Sequence, residues 1–266
     1  MALTPDLNAT GNLRASQDNA AVNFSLVPVP RLEKGEVHIW RLEPEPAVEL
    51  SHYFHLLDRG EQDRAGRFRF QHLTRSFIVD HGRLRLILGA YTRSNPEDLV
   101  FSLNKFGKPR LEDLDSGLRF NLSHTEGLTL LALCLDAEIG IDVEAVRPME
   151  DWQEVARSHF SIRENDALKS TIRSDRQNAF FRCWTRKEAF LKANGHGLSM
   201  PLDSFAVSLA PEEFPALLDC AWDPHETSRW LLFSLELGQK FIGALAIENH
   251  EWKIRSFDWT GLPKCL

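Results

Sequence analysis

Ile139-Gly140-Ile141-Asp142-Val143-Glu144 reads as an apolar strand that carries two acids two positions apart. Alternation along a strand turns Asp142 and Glu144 to the same side. Like charges held together at a strand's end are costly unless a cation or a strong donor answers them, and hard carboxylate oxygens suit Mg2+. Alone, such a pair is more often just two solvated acids.

Two more apolar strands precede it, at 119–123 and 129–135, after a short strand at 99–103 and the turn Gly107-Lys108-Pro109. Further upstream, 36–42 alternates as a strand, 47–57 spaces Leu50, Phe54 and Leu57 along one helical face, and 74–92 reads as a longer helix. Downstream, helices are expected at 151–160, 162–169 and 175–193, then strands at 204–209, 230–237, 241–248 and 252–258. Strands flanking helices in each half predict an α+β fold of two similar, pseudo-symmetric lobes, 35–138 and 139–266, with the seam at Glu138-Ile139. Residues 1–34, rich in Asn, Ala, Ser and Pro, are expected to form a loosely held extension.

Composition bounds the function. A chain of 266 residues, 43% hydrophobic, can bury a sizeable core. Its net charge of −7 argues against a general nucleic-acid binder. Residues 59–93 nevertheless hold eight arginines against three acids, a region able to meet a polyanion. No apolar run approaches the ~18 residues of a membrane span, and the polar start lacks the pattern of a signal peptide, so no membrane partner and a cytoplasmic location are expected. The four cysteines lack metal or redox spacing, and Cys134 and Cys183 sit in apolar runs as structural thiols.

Three further motifs complete the set. In Phe181-Arg182-Cys183-Trp184-Thr185-Arg186-Lys187-Glu188-Ala189-Phe190-Leu191-Lys192-Ala193, helical spacing puts Trp184, Glu188, Leu191 and Lys192 on adjacent parts of one surface, and Glu188 with Lys192 could equally be a plain i,i+4 pair. Asn121-Leu122-Ser123-His124 ends a strand in a hydroxyl and an imidazole, and Gly107-Lys108-Pro109 offers a turn with a cation.

In combination, G-K-P, F-N-x-S-H, G-I-D-x-E, W-T-x-K-E-x-x-x-K and G-x-G-L resemble, in order and spacing, the 4′-phosphopantetheinyl transferase superfamily. The likeness covers roughly 67–207 and is nearest to the large single-chain type that activates nonribosomal peptide and polyketide synthetases. The resemblance implies transfer of the phosphopantetheine arm of coenzyme A to a serine of an apo acyl or peptidyl carrier protein, with release of adenosine 3′,5′-bisphosphate. It implies an active site between the lobes, with Asp142, Glu144 and Glu188 holding Mg2+, for which Mn2+ could substitute. Glu188 is implied as the base, with Asp142 and Lys192 beside it in the catalytic set. Coenzyme A would be met by Lys192, Ser123, His124, Lys108 and Pro109, by Arg67 and Arg75 at its 3′-phosphate, and by Lys187 with less weight, since a neighbouring helical position turns about 100° from Glu188. Gly195 and Gly197 are expected to end the helix for structural reasons. A site completed within one chain implies a monomer. Two other readings remain: a coenzyme A-binding module without catalysis, which would not need three acids, and another Mg2+-dependent phosphoryl-transfer enzyme such as a nucleotide hydrolase, for which no GxxxxGK[ST] loop is present.

Overall fold

A computed structural model describes residues 29–45, 48–112, 117–197 and 200–260. Most of the expected extension, and Leu198 of G-x-G-L, lie outside the described residues. The chain opens with β1 (Glu36–Leu42), then three helices, α1 (Ser51–Phe54), α2 (Arg59–Ala65) and α3 (Gln71–Thr92). Strands β2 (Phe101–Leu103), β3 (Pro109–Leu111), β4 (Leu118–Thr125), β5 (Leu128–Leu135) and β6 (Ile139–Ala145) follow. Then come α4 (Trp152–His159), α5 (Ile162–Ser170), α6 (Arg176–Asn194), β7 (Phe205–Val207), β8 (Leu217–Cys220), α7 (Glu226–Arg229), β9 (Trp230–Leu235), β10 (Phe241–Glu248) and β11 (Lys253–Asp258). Helices and largely antiparallel sheets make this an α+β chain, as expected.

The described chain divides into two compact units: one holds Glu45–Asp98, the other Pro30–Pro44 and residues 99–260. In the smaller unit, helix α1 is shorter than the expected 47–57, because Asp58 caps a new helix there. The Glu61 amide donates to Asp58 Oδ1 at 2.9 Å and the Asp58 amide donates to Glu61 Oε2 at 3.1 Å, a reciprocal capping box that starts α2. Helix α3 turns two of the region's arginines inward. Arg85, fully buried, donates to Glu61 Oε2 at 2.6 Å, Asp58 Oδ2 at 2.7 Å and the Pro96 carbonyl at 3.0 Å. Arg83, 1% exposed, pairs with Glu45 at 2.7 Å. These two cations are internal struts, so the arginine-rich stretch is less of a polyanion surface than its count suggests.

In the larger unit, one sheet has the order β11-β1-β5-β4, with β1 parallel to β11 and the other pairs antiparallel. A second sheet has the order β6-β10-β9 and is antiparallel throughout. Their apolar faces share a core of Val37, Ile39, Leu130, Ala132, Ile139, Ile141, Val143, Leu245 and Ile247. A second cluster gathers α6 with α4, α5 and β7 to β10 around Phe160, Phe180, Phe190, Phe205 and Trp230. Cys134 and Cys183 are buried free thiols, as read from the sequence.

One glycine sets how closely helix and strand approach. A Cβ at Gly140 would collide with the Ala189 carbonyl and the Ala193 amide, so only glycine lets α6 lie directly on β6. That approach carries the C-terminal half of α6, with Glu188 and Lys192, across the strand that bears Asp142 and Glu144.

Candidate active site

Asp142 sits mid-strand on β6, paired with Ala244 of β10 and only 5% exposed. A buried carboxylate must be answered, and two groups answer one of its oxygens. Lys192 Nζ lies 2.6 Å from Asp142 Oδ1, and Ser123 Oγ donates to the same atom at 2.9 Å. Lys192 also donates to Ser123 Oγ at 2.9 Å, so the three side chains close a ring. The other oxygen, Asp142 Oδ2, is buried and has no hydrogen-bond partner among the described residues.

Glu144 and Glu188 are both half-buried around this carboxylate. Burial pushes the Glu144 carboxyl above its ordinary value and the Asp142 charge adds to it, while Arg147 and Lys192 oppose. Burial also raises Glu188, again helped by Asp142 and opposed by Lys192. The three acids therefore feel one another although Glu188 comes from a different element. Among the described residues, no three His, Cys, Asp or Glu side chains stand close enough to form a finished metal site. Their donor chemistry does fit a hard divalent cation: carboxylate oxygens only, one of them buried and unpartnered.

The remaining residues singled out in the sequence fall in different surroundings. His124 follows Ser123 at the end of β4 and is exposed. The Lys108 ammonium is buried and spends its donors on Glu138 Oε2 at 2.8 Å, the Ile139 carbonyl at 3.1 Å and the Ala193 carbonyl at 2.9 Å. It ties the turn before β3 to the start of β6 and the end of α6; the Lys108 amide donates to Asn104 Oδ1 at 2.9 Å and its carbonyl accepts the Asn104 amide at 3.0 Å, so exposed Gly107 and half-buried Pro109 are the accessible part of the motif. Lys187 has 0% side-chain exposure; it meets both oxygens of Glu164 at 2.7 and 2.8 Å and donates to the Phe205 carbonyl at 2.6 Å. The structure therefore puts Lys187 in the core as one half of a buried ion pair, with no donor for a phosphate. Trp184 is likewise in the aromatic cluster, 6.1 Å from Phe180 between ring centroids. Gly195 ends α6 in the left-handed region at φ 75°, as expected of a helix-terminal glycine. Arg75 and Arg67 belong to the smaller unit. Arg75 donates to the Glu45 and Val48 carbonyls at 3.0 and 2.7 Å, and Arg67 is exposed after α2.

The Glu164–Lys187 pair was not read from the sequence. Ser161-x-x-Glu164 is a capping-box pattern, and the Glu164 oxygens do accept the Ser161 amide at 2.8 Å. The same carboxylate also holds Lys187 and accepts the Val207 amide at 2.8 Å, a convergence of α5, α6 and β7 that spacing alone does not reveal.

Residues 138–246 match the family model of the 4′-phosphopantetheinyl transferase superfamily. The chain is 38% identical over 221 residues to the 4′-phosphopantetheinyl transferase HetI of Nostoc sp., covering 82% of this chain and 90% of that protein. This chain is a 4′-phosphopantetheinyl transferase. It is also 30% identical over 200 residues to a putative 4′-phosphopantetheinyl transferase of Synechocystis sp., covering 75% of this chain and 79% of that one. With the transferase Sfp of Bacillus subtilis it shares 28% identity over 171 residues, 64% of this chain and 75% of Sfp. Asp142, Glu144, Glu188 and Lys192 of this transferase fall within residues 138–246, and Ser123 precedes them. Among its described residues, no helix is long and apolar enough to cross a membrane.

Proposed function

We propose that this transferase moves the 4′-phosphopantetheine of coenzyme A onto a serine of an apo acyl or peptidyl carrier protein, with Asp142, Glu144 and Glu188 holding Mg2+. In this reading the serine Oγ forms a bond to the β-phosphorus of coenzyme A. The bond from that phosphorus to the bridging oxygen breaks, and adenosine 3′,5′-bisphosphate leaves with its electron pair. The serine proton passes to a Glu188 carboxylate oxygen. Lys192, held on Asp142 and Ser123, is the cation that would turn to the phosphates as charge develops on the leaving group. Bound at the three acids, Mg2+ supplies positive charge to the pyrophosphate oxygens.

Ser123 and exposed His124 are proposed to meet a phosphate of the nucleotide end, and Pro109, on the turn that buried Lys108 anchors, its base. Arg67 and Arg75 are proposed for the 3′-phosphate; Lys187 has no place in this scheme. The two-lobe reading, with its seam at Glu138-Ile139, is supported by the change of sheet between β5 and β6. Among the described strands, β11 alone pairs across it, returning to lie beside β1. A monomeric, cytoplasmic enzyme remains part of the proposal.

The observation that carries the reading is the half-answered Asp142 carboxylate: one oxygen on Lys192 and Ser123, the other buried and free, with two more acids in its field. Intact-protein mass tests it. Apo carrier protein incubated with the enzyme, coenzyme A and Mg2+ is expected to gain one phosphopantetheine. An unmodified carrier with coenzyme A consumed would point to a hydrolase.

A further inference from the structure

One face of β4 carries Asn121, Ser123 and Thr125 at every second residue, and each reaches across to β6, a strand of the other sheet. The Ile141 amide donates to Asn121 Oδ1 at 2.8 Å, Ser123 Oγ donates to Asp142 Oδ1 at 2.9 Å, and the Ala145 amide donates to Thr125 Oγ1 at 3.1 Å. β4 and β6 each end their own sheet, so no strand ladder joins them. Along its other edge β6 is held by β10, with Ala244 opposite Asp142 and Ile242 opposite Glu144. Toward β4 the strand is held by side chains.

Two of these bonds bracket the acids. The Ile141 amide immediately precedes Asp142 and the Ala145 amide immediately follows Glu144. We infer that Asn121 and Thr125 are positioning residues, fixing the backbone on both sides of the acid pair and so the separation and direction of the two carboxylates. The inference rests on the metal reading proposed above and adds the two residues that set its geometry. The side-chain acceptors do work that a ladder would do elsewhere, and removing one leaves a β6 amide without a partner next to a ligand.

The test is calorimetric titration of the full-length protein with Mn2+ alone, alongside steady-state transfer at saturating Mg2+ and coenzyme A. Thr125→Val keeps the shape and deletes the acceptor; Thr125→Ser keeps the acceptor. Thr125→Val is expected to weaken Mn2+ binding by about 10-fold, the lower end of what supporting residues around metal ligands contribute. It should lower kcat with little change in the KM for carrier protein, and Thr125→Ser should restore both. Asn121→Ala should act in the same direction. A Thr125→Val protein that binds Mn2+ as tightly as the wild type, or a Thr125→Ser protein that stays impaired, overturns the inference while leaving the metal reading intact. A wild type that takes up no Mn2+ overturns both.

Discussion

At the residue scale, the two roles proposed for Glu188 and Lys192 fall on neighbouring turns of α6. Glu188 is half-buried with its carboxyl raised by burial and by Asp142, so it holds a proton more firmly than a surface glutamate. Glu188→Gln keeps the size and removes the proposed base; kcat is expected to fall by about 10²- to 10⁴-fold with the melting temperature little changed. Lys192→Ala removes the cation from Asp142 and should depress kcat as well as raise KM for coenzyme A. A change confined to KM would make Lys192 a binding residue only. The acids and Lys192 were legible because their spacing is short and periodic: two apart on a strand, four apart on a helix. Lys187 was harder, since a lysine one position from Glu188 is equally consistent with a phosphate contact or a core ion pair. Which of the two holds depends on Glu164, 23 residues away.

At the scale of elements, the site exists because β6 and α6 touch. Gly140→Ala places a methyl against the backbone of α6, and overpacking of this kind costs about 1–3 kcal/mol. The expected result is a lower denaturation midpoint together with reduced transfer, because Lys192 and Asp142 are moved apart by the same displacement; unchanged stability and rate would show that α6 does not bear on Gly140. The long elements were readable: β1, β10 and α6 fall within a residue or so of the sequence reading. The missed ones are short. β3 and β8 span three and four residues, too few for a period, and are defined by their partners β2 and β7. α2 carries a sequence signal of its own, the Asp58-x-x-Glu61 capping pattern, set inside an arginine-rich run.

At the scale of the whole molecule, charge that looked like a ligand-binding surface is partly internal. Burial alone would raise the Glu61 carboxyl, but the hydrogen bond from His81 and the charges of Arg85 and His81 hold it below 4.5. A carboxyl depressed on folding contributes stability at pH above its unfolded value, and that contribution is lost as the pH falls through the folded value. The smaller unit should therefore weaken below about pH 4.5, and Glu61→Gln should flatten that part of the stability curve measured by denaturant unfolding. A Glu61→Gln protein with the wild-type acid dependence would mean that the pairing with Arg85 contributes nothing on this scale.

Three acids from two elements are proposed to act together on one divalent ion beside Lys192. Its most direct test is the rate at which Asp142→Ala modifies an apo carrier protein at limiting Mg2+, followed by intact mass. The carrier should remain unmodified over the time in which the wild-type enzyme converts it fully, with the variant still folded. Conversion at a near-wild-type rate would contradict the assignment of Asp142 and with it the site.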